Sequence, residues 1–192
     1  MEYGNDLFNH ANHTNNIMNA RYFSILLIFV VNIAGFGIAD AEPETQANGM
    51  VSVYLLRHTE KELDVKQNPP LTETGVERAH YWTFVLQDIQ FDAVYSTDTL
   101  RTRETAKPIA QSNTVEITLY QPQSLTRESL LKDHAGQNIL IVGHSNTIAE
   151  LSNQLIRQKK FQNLDEKSYS NLFIVSLTEH FAKAQKLNIT LP

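Results

Sequence analysis

Two short apolar runs, far apart in the chain, each end at a histidine. Residues 51–56 lead to His58, and residues 138–142 lead to His144. Short apolar, β-branched runs predict buried strands, and strands that are buried on both faces are typical of parallel sheets. Because ligands bind outside the carboxyl ends of strands in open α/β sheets, both histidines are expected at a ligand-binding edge.

Strands and helices are predicted to alternate through residues 50–192. Apolar runs predict strands, and helical spacing of apolar side chains predicts the helices between them. The predicted strands are residues 51–56, 91–95, 115–119, 138–142, 171–177 and 187–191. The predicted helices are residues 72–89, 99–110, 125–131 and 147–157. Pro108 is expected to disturb the later part of the second helix.

This alternation predicts an α/β fold, a three-layer α/β/α sandwich with a mostly parallel central sheet. Only a short connection joins the last two strands, whereas parallel strands need a crossover of a dozen or more residues. One of these two strands is therefore expected to be antiparallel at an edge of the sheet.

The composition excludes several functional classes. The 192 residues carry a net charge of −5 with no basic block, which argues against nucleic acid as a partner. The chain has no cysteine, so thiolate nucleophiles and cysteine metal sites are excluded. A hydrophobic content of 42% suits one globular domain with a proper core.

Residues 1–41 differ in kind from the rest. A polar, asparagine-rich leader precedes Arg21 and an apolar stretch, and a small-x-small site follows at residues 39–41. These features are typical of a secretory signal peptide, so export to the periplasm or outside the cell, with cleavage after Ala41, is expected. The apolar stretch is also long enough to span a bilayer.

Two alternatives to cleavage therefore stay open, a membrane anchor over residues 21–39 and a buried helix of the fold. Met18 is an alternative first residue, which would give a signal peptide with a shorter polar leader. Residues 42–49 are predicted to form a linker to the folded domain, residues 50–192. A membrane is a partner only if the amino-terminal segment is not cleaved.

The side chains at the ends of the predicted strands are suited to an anion. The Arg57 guanidinium is always charged and binds phosphate oxygens in a fork, and neutral His58 can act as a nucleophile. Arg101 lies near the start of a predicted helix, whose amino terminus already favours anions. His144 can donate to a phosphate oxygen, and Ser145 can cap the helix that follows. Read together, these residues predict one anion pocket.

The same residues resemble the motifs of the histidine phosphatase superfamily, also called phosphoglycerate mutase-like. The matching elements, in order, are Arg57-His58-Thr59-Glu60, Pro70 to Ala79 (PLTETGVERA), Ser96 to Ala106 (STDTLRTRETA) and Gly143-His144-Ser145. Four elements in the family's order are a far more specific signal than one Arg-His-x-Glu. The short interval between the second and last motifs is similar to compact members such as the bacterial phosphohistidine phosphatases.

The resemblance implies a phosphatase that works through a phosphohistidine. His58 would attack phosphorus, while Arg57, Arg101 and His144 would bind the equatorial oxygens, with no metal and no other cofactor. His58 must be neutral to attack, and a protonated His144 would hold the anion better. The two pKa values are therefore expected to be pushed apart.

Beyond these four residues, the sequence offers further candidates for substrate contact and for the general acid. Thr59 and Thr102 stand where the family has smaller residues, and Thr59 is expected to narrow the pocket and contact the substrate. Ser145 is expected to contact the substrate too. The general acid is not evident: Glu128 is the tentative candidate by its position, and Glu60 is the alternative.

Two other functions stay open. In a metal-dependent hydrolase, His58, Glu60 and His144 would ligate zinc, although the neighbouring arginines would repel the cation. A non-catalytic module of the same fold would bind phosphate or a phosphoprotein without turnover. A phosphoglycerate mutase is disfavoured, because the segments that close over a sugar phosphate are missing. The expected partner is a small phosphorylated substrate or inorganic phosphate.

Overall fold

The computed structural model describes residues 49–190. The predicted signal peptide or anchor in residues 1–41, and nearly all of the linker, lie outside the described residues. Strands and helices alternate as the sequence predicts. The elements are β1 (Val51–Arg57), α1 (Glu73–Val85), β2 (Ala93–Ser96), α2 (Leu100–Ser112), β3 (Ile117–Leu119), α3 (Arg127–Asp133), β4 (Asn138–Gly143), α4 (Ser145–Ile156), β5 (Asn171–Leu177) and β6 (Ala182–Asn188). Among the helices of residues 49–190, none combines the length and the hydrophobicity that a membrane span requires.

The strands form one six-stranded sheet in the order β3-β2-β4-β1-β5-β6. The first four strands of the chain pair in parallel, whereas β5 runs antiparallel to β1, and β6 antiparallel to β5. The prediction of a mostly parallel sheet with an antiparallel edge strand is confirmed. The short turn between β5 and β6 forces these two strands into a hairpin.

Helices cover both faces of the sheet, which gives the predicted three layers. On one face, Leu130 of α3 and Ile148 of α4 belong to a core cluster that includes Val53. On the other face, Trp82 of α1 and Ile109 of α2 belong to a second cluster. Burying a large aliphatic or aromatic side chain contributes roughly 1.5–3 kcal/mol to the stability of the fold. The apolar contacts of both clusters therefore fix the helices on the two faces of the sheet.

Several boundaries shift from the predictions by a few residues, and two of these differences have a clear physical reason. Helix α2 continues through Pro108 to Ser112, because the next residue, Ile109, is buried in the core and its packing offsets the lost backbone N–H. Strand β6 begins at Ala182 rather than at Leu187. Its inward-facing residues are alanines, which are poor indicators of a strand.

The register of the strands brings three motif segments to one edge of the sheet. Arg57 pairs with Gly143 across β1 and β4, and Ser96 pairs with Val142 across β2 and β4. The His58 N–H donates to the Gly143 carbonyl oxygen at 2.9 Å. Because β2, β4 and β1 are neighbours in the sheet, the residues that follow them meet.

Candidate active site

Two imidazole rings face each other at this edge. The rings of His58 and His144 meet edge to face with their centroids 5.5 Å apart. The His58 Nδ1–H donates to the Thr59 carbonyl oxygen at 2.8 Å, since a carbonyl can only accept. Neutral His58 therefore carries its lone pair on Nε2, the nitrogen that can attack an electrophile.

Both imidazoles are held neutral. Burial, with smaller contributions from the Arg57 and Arg101 charges, lowers the pKa of His58 to about 3. Burial, followed by the charges of Arg101 and Arg57, lowers the pKa of His144 to about 4. With only the protein's own groups around them, the two pKa values shift in the same direction, so the expectation that they are pushed apart is wrong. An oxyanion bound beside His144 would raise its pKa again.

A chain of threonine hydroxyls orients the second imidazole. The Nε2 of His144 lies 3.0 Å from Thr97 Oγ1, and the Thr97 hydroxyl donates to Thr102 Oγ1 at 3.0 Å. Since that hydroxyl has given its proton to Thr102, it accepts from the His144 Nε2–H. The Nδ1 of His144 is then the acceptor, and it lies 3.4 Å from Arg101 Nη2.

The loop between α4 and β5 clamps the Arg57 guanidinium. The Nη1 of Arg57 donates to the carbonyl oxygens of Asp165 at 2.8 Å and Ser168 at 3.4 Å. The Tyr169 ring stacks on the guanidinium, and the distance from the ring centroid to Arg57 Cζ is 4.5 Å. The Nη2 of Arg57 pairs with Glu166 Oε2 at 3.0 Å. No motif marks this loop, and only the tertiary fold places it beside β1.

The cluster carries positive charge that its own partners do not fully neutralise. The Nε atoms of Arg57 and Arg101 are buried and have no hydrogen-bond partner within residues 49–190. Burial and the nearby Arg57 charge also lower the pKa of Arg101 below its ordinary value. A buried donor without an acceptor costs about 1–3 kcal/mol, so the site favours a ligand with several anionic oxygens, such as a phosphoryl group.

Glu128 does not reach this cluster. Its carboxylate accepts from Arg157 Nη2 at 2.7 Å, and Arg157 follows the last residue of α4, whereas His144 precedes the first. The 12 residues of α4 separate the two ends by about 18 Å. The assignment of Glu128 as general acid is therefore wrong. The alternative, Glu60, is paired with Arg78 at 2.7 Å.

Thr59 and Ser145, the two other residues predicted to contact the substrate, lie differently with respect to the cluster. Thr59 turns away from the site, contrary to expectation: it is fully buried, and its hydroxyl donates to the Gly75 carbonyl oxygen at 2.7 Å. Its contribution is the backbone carbonyl that accepts from His58. Ser145 does face the cluster, where its hydroxyl donates to Glu166 Oε1 at 2.6 Å.

The proposed zinc ligands do not assemble. Glu60 is engaged by Arg78, which leaves His58 and His144 without the third ligand that the sequence suggested. Within the described part of the chain, no group of three histidine, cysteine, aspartate or glutamate side chains is placed to hold a metal ion.

A cleft of about 640 Å³ opens beside Arg101. It lies between the loop that follows β1 and the start of α2, and its lining includes Lys61, Leu63, Lys66 and Thr99. Since Arg101 belongs both to this cleft and to the histidine cluster, the cleft offers space for the rest of a ligand whose anionic group lies between the histidines.

The family model of the histidine phosphatase superfamily (branch 1) matches residues 53–121. A search of curated proteins finds no match for this chain. Three solved structures show what the fold is similar to. A phosphoglycerate mutase from Bacillus anthracis aligns with a TM-score of 0.60 and 17% identity, covering 75% of this chain and 95% of that chain. An alpha-ribazole phosphatase from Shigella flexneri aligns with a TM-score of 0.56 and 18% identity, covering 73% and 99%. The protein histidine phosphatase SixA, complexed with tungstate, aligns with a TM-score of 0.56 and 16% identity, covering 71% and 96%.

The fold is thus that of the phosphoglycerate mutase-like α/β proteins. The motifs indicate a resemblance to the histidine phosphatase superfamily, and the match of its family model to residues 53–121 confirms that resemblance.

Proposed function

We propose that the protein is a phosphatase that hydrolyses a phosphomonoester through a phosphohistidine on His58. The observation that carries this proposal is the convergence of a free imidazole nitrogen, a second imidazole and two guanidiniums at one edge of the sheet. The neutral ring of His58 supplies the nucleophile, and Arg57, Arg101 and His144 surround the place where a tetrahedral oxyanion would lie.

In the first step, the lone pair on His58 Nε2 forms a bond to phosphorus while the bond from phosphorus to the leaving oxygen breaks. Hydrogen bonds from Arg57 and Arg101 to the equatorial oxygens contribute about 1.5–3 kcal/mol each. Their donors are in place beforehand, so the stabilisation is a preorganised electrostatic one. The oxyanion raises the pKa of His144, which allows that ring to take up a proton and donate to the same group.

In the second step, water attacks phosphorus as the bond from phosphorus to His58 Nε2 breaks, and inorganic phosphate leaves. The Nδ1–H of His58 stays bonded to the Thr59 carbonyl oxygen, so the ring keeps its orientation through both steps. The hydrogen bond also favours the tautomer with its lone pair on Nε2.

The type of phosphatase that we propose is a metal-independent, acid-type one. The pKa of about 3 for His58 supports it, because the nucleophile then stays deprotonated well into the acid range. The cleft beside Arg101 supports a small phosphorylated substrate, whose leaving group would lie against Lys61 and Lys66.

The compartment is also a proposal, and residues 1–41 support it. Their basic residue, apolar stretch and small-x-small site favour export to the periplasm or outside the cell. Amino-terminal sequencing of the mature protein tests this proposal. A new terminus after Ala41 is expected, while an intact segment would show that it is not cleaved.

A burst assay with p-nitrophenyl phosphate tests the phosphatase mechanism. The wild type is expected to form an acid-labile phosphoenzyme, and His58→Ala is expected to form none. Arg101→Ala and His144→Ala each remove one oxyanion contact, so turnover is expected to fall about 10²–10³-fold. His180→Ala is the matched control, since that side chain is 89% exposed and lies in the β5–β6 turn.

Two results would contradict the mechanism. Full activity in His58→Ala would remove the nucleophile from its role. Vanadate binding by the wild type without any turnover, at any pH, would instead favour the non-catalytic phosphate-binding module.

A further inference from the structure

One carboxylate reaches the cluster from the loop between α4 and β5, outside the four motifs. Glu166 Oε2 lies 3.0 Å from Arg57 Nη2, and Oε1 lies 2.6 Å from Ser145 Oγ. The Glu166 side chain is 73% exposed, whereas that of Arg57 is 1% exposed. The carboxylate therefore lies between the buried Arg57 cation and solvent.

Other acidic side chains next to the motifs are engaged elsewhere. Glu60 pairs with Arg78, and Asp98 pairs with Arg103. Glu104 accepts from the Leu71 backbone N–H at 2.8 Å. Each of these three carboxylates is bound to a partner outside the histidine cluster, whereas Glu166 contacts Arg57 and Ser145 within it.

We propose that Glu166 is the general acid and base of the hydrolysis, an inference that rests on the proposed phosphatase function. In the first step, protonated Glu166 gives its proton to the leaving oxygen as the phosphorus–oxygen bond breaks and the bond to His58 Nε2 forms. In the second step, the Glu166 carboxylate takes a proton from water as the water oxygen bonds to phosphorus and the bond to His58 breaks. The proton taken from water restores the acid form.

Substrate binding changes the charge around Glu166 in the direction that this role needs. The hydrogen bond from Ser145, with the Arg57 and Lys61 charges, keeps the pKa of Glu166 below its ordinary value. A phosphoryl group that binds Arg57 competes for this cation and places negative charge beside the carboxylate. Both effects raise the pKa of Glu166, so the bound substrate favours the protonated acid.

Other titratable groups share this electrostatic environment. Arg101 and His144 lie within electrostatic reach of Glu166 from the α2 and α4 sides of the cluster, and Tyr169 does so from the same loop. A pH profile of the wild type alone would mix their contributions. The test therefore compares matched variants and substrates that differ in their need for a proton.

A competing role makes the opposite prediction. The Glu166 carboxylate can be read as an inhibitor that occupies Arg57 in place of a phosphoryl oxygen. If that were its role, its removal would strengthen phosphate binding and would not lower kcat. General acid catalysis instead requires that its removal lower kcat, and that the loss depend on the leaving group.

The variant Glu166→Gln keeps the size of the side chain and its acceptor for Ser145 but carries no exchangeable acid proton. With phenyl phosphate, whose leaving group needs a proton, phosphoenzyme formation is expected to fall about 10²–10³-fold. With 2,4-dinitrophenyl phosphate, whose leaving group departs as a stable anion, the burst rate is expected to be unchanged. Release of phosphate from the phosphoenzyme is expected to slow with both substrates.

The control variant is Glu179→Gln, an exposed carboxylate in the β5–β6 turn (87% exposed), which is expected to leave all of these rates unchanged. An equal loss in the rate of phosphoenzyme formation with both aryl phosphates in Glu166→Gln would overturn the proposal. Higher turnover with tighter phosphate inhibition would overturn it too. A wild type without phosphoenzyme would contradict the proposed function instead, so the two failures are distinguishable.

Discussion

The Thr102 hydroxyl lies 3.0 Å from the Thr97 hydroxyl and, through it, sets the orientation of the His144 ring. Thr102 is fully buried, and it also donates to the Thr97 backbone carbonyl at 2.8 Å. Alanine is usual at this position of the motif that the sequence resembles, so the hydroxyl is a departure, and it has hydrogen-bond partners of its own.

Removing the Thr102 hydroxyl is expected to make the His144 ring less well oriented, while all the residues that would contact the substrate stay in place. In Thr102→Ala, the Thr97 hydroxyl loses its acceptor and can turn its proton toward the imidazole, which disturbs the tautomer. The free energy of unfolding is expected to fall by about 0.5–1.5 kcal/mol, and kcat to fall more than KM changes. Thr102→Ser keeps the hydroxyl and is expected to restore kcat, as steady-state kinetics would show. Equal losses in both variants would mean that the methyl group matters rather than the hydroxyl.

The stability of the protein is expected to depend on pH through the two histidines. Their pKa values in the folded protein are about 3 for His58 and about 4 for His144, against 6.5 ordinarily. Between these values the unfolded chain binds more protons than the folded protein, so the free energy of unfolding decreases as the pH falls below about 6.5. The decrease is at most about 1.4 kcal/mol per pH unit for each histidine.

Urea denaturation followed by circular dichroism from neutral pH to about pH 4.5 checks this dependence. A His58→Asn, His144→Asn double variant serves as the comparison, because it keeps the other acid-sensitive groups. Its free energy of unfolding is expected to change less with pH than that of the wild type. Parallel curves for the two proteins would argue against the lowered pKa values.

A methyl group at residue 75 is expected to disrupt the packing of α1 on the segment after β1. A Cβ added at Gly75 would overlap the Glu60 carbonyl oxygen, which is backbone and has little freedom to move. Gly75→Ala is expected to lower the free energy of unfolding by about 1–3 kcal/mol, despite the better helix propensity of alanine. Thermal unfolding would measure the loss. Thr74→Ala, at an exposed neighbouring position, is the control, and an unchanged melting temperature for Gly75→Ala would refute the contact.

Metal removal is expected to leave the activity intact. The two histidines have arginines as neighbours, and Glu60 is bound by Arg78, so no zinc ligand set is assembled from these residues. Turnover of p-nitrophenyl phosphate is expected to be the same before and after dialysis against EDTA. Loss of turnover on chelation, followed by recovery with zinc, would favour the metal-dependent hydrolase.

The parts of the site that follow buried strands were predictable from the sequence. Continuous apolar runs mark β1 and β4, and His58 and His144 come directly after them, so their meeting at one edge follows from a parallel sheet. Glu128 was misplaced because nearness to a motif along the chain does not tell how far a helix carries a side chain from it. Its partner lies at the far end of α4.

The contacts of the loop after α4 were not predictable in the same way. Two of the groups that hold Arg57 are backbone carbonyls, and any residue type supplies a carbonyl. Glu166 had no periodicity or motif around it that would connect it with β1. Long-range packing alone brings this segment to the site, and such packing leaves no local pattern in the sequence.

The clamp on Arg57 has a consequence for how the protein is made. All four motifs precede residue 146 in the chain, yet the carbonyls that restrain the guanidinium belong to Asp165 and Ser168. A nascent chain that has emerged only as far as Gly143-His144-Ser145 holds every signature residue but lacks these restraints. Competence for catalysis would arise only after the segment through β5 has been made and β5 has docked on β1.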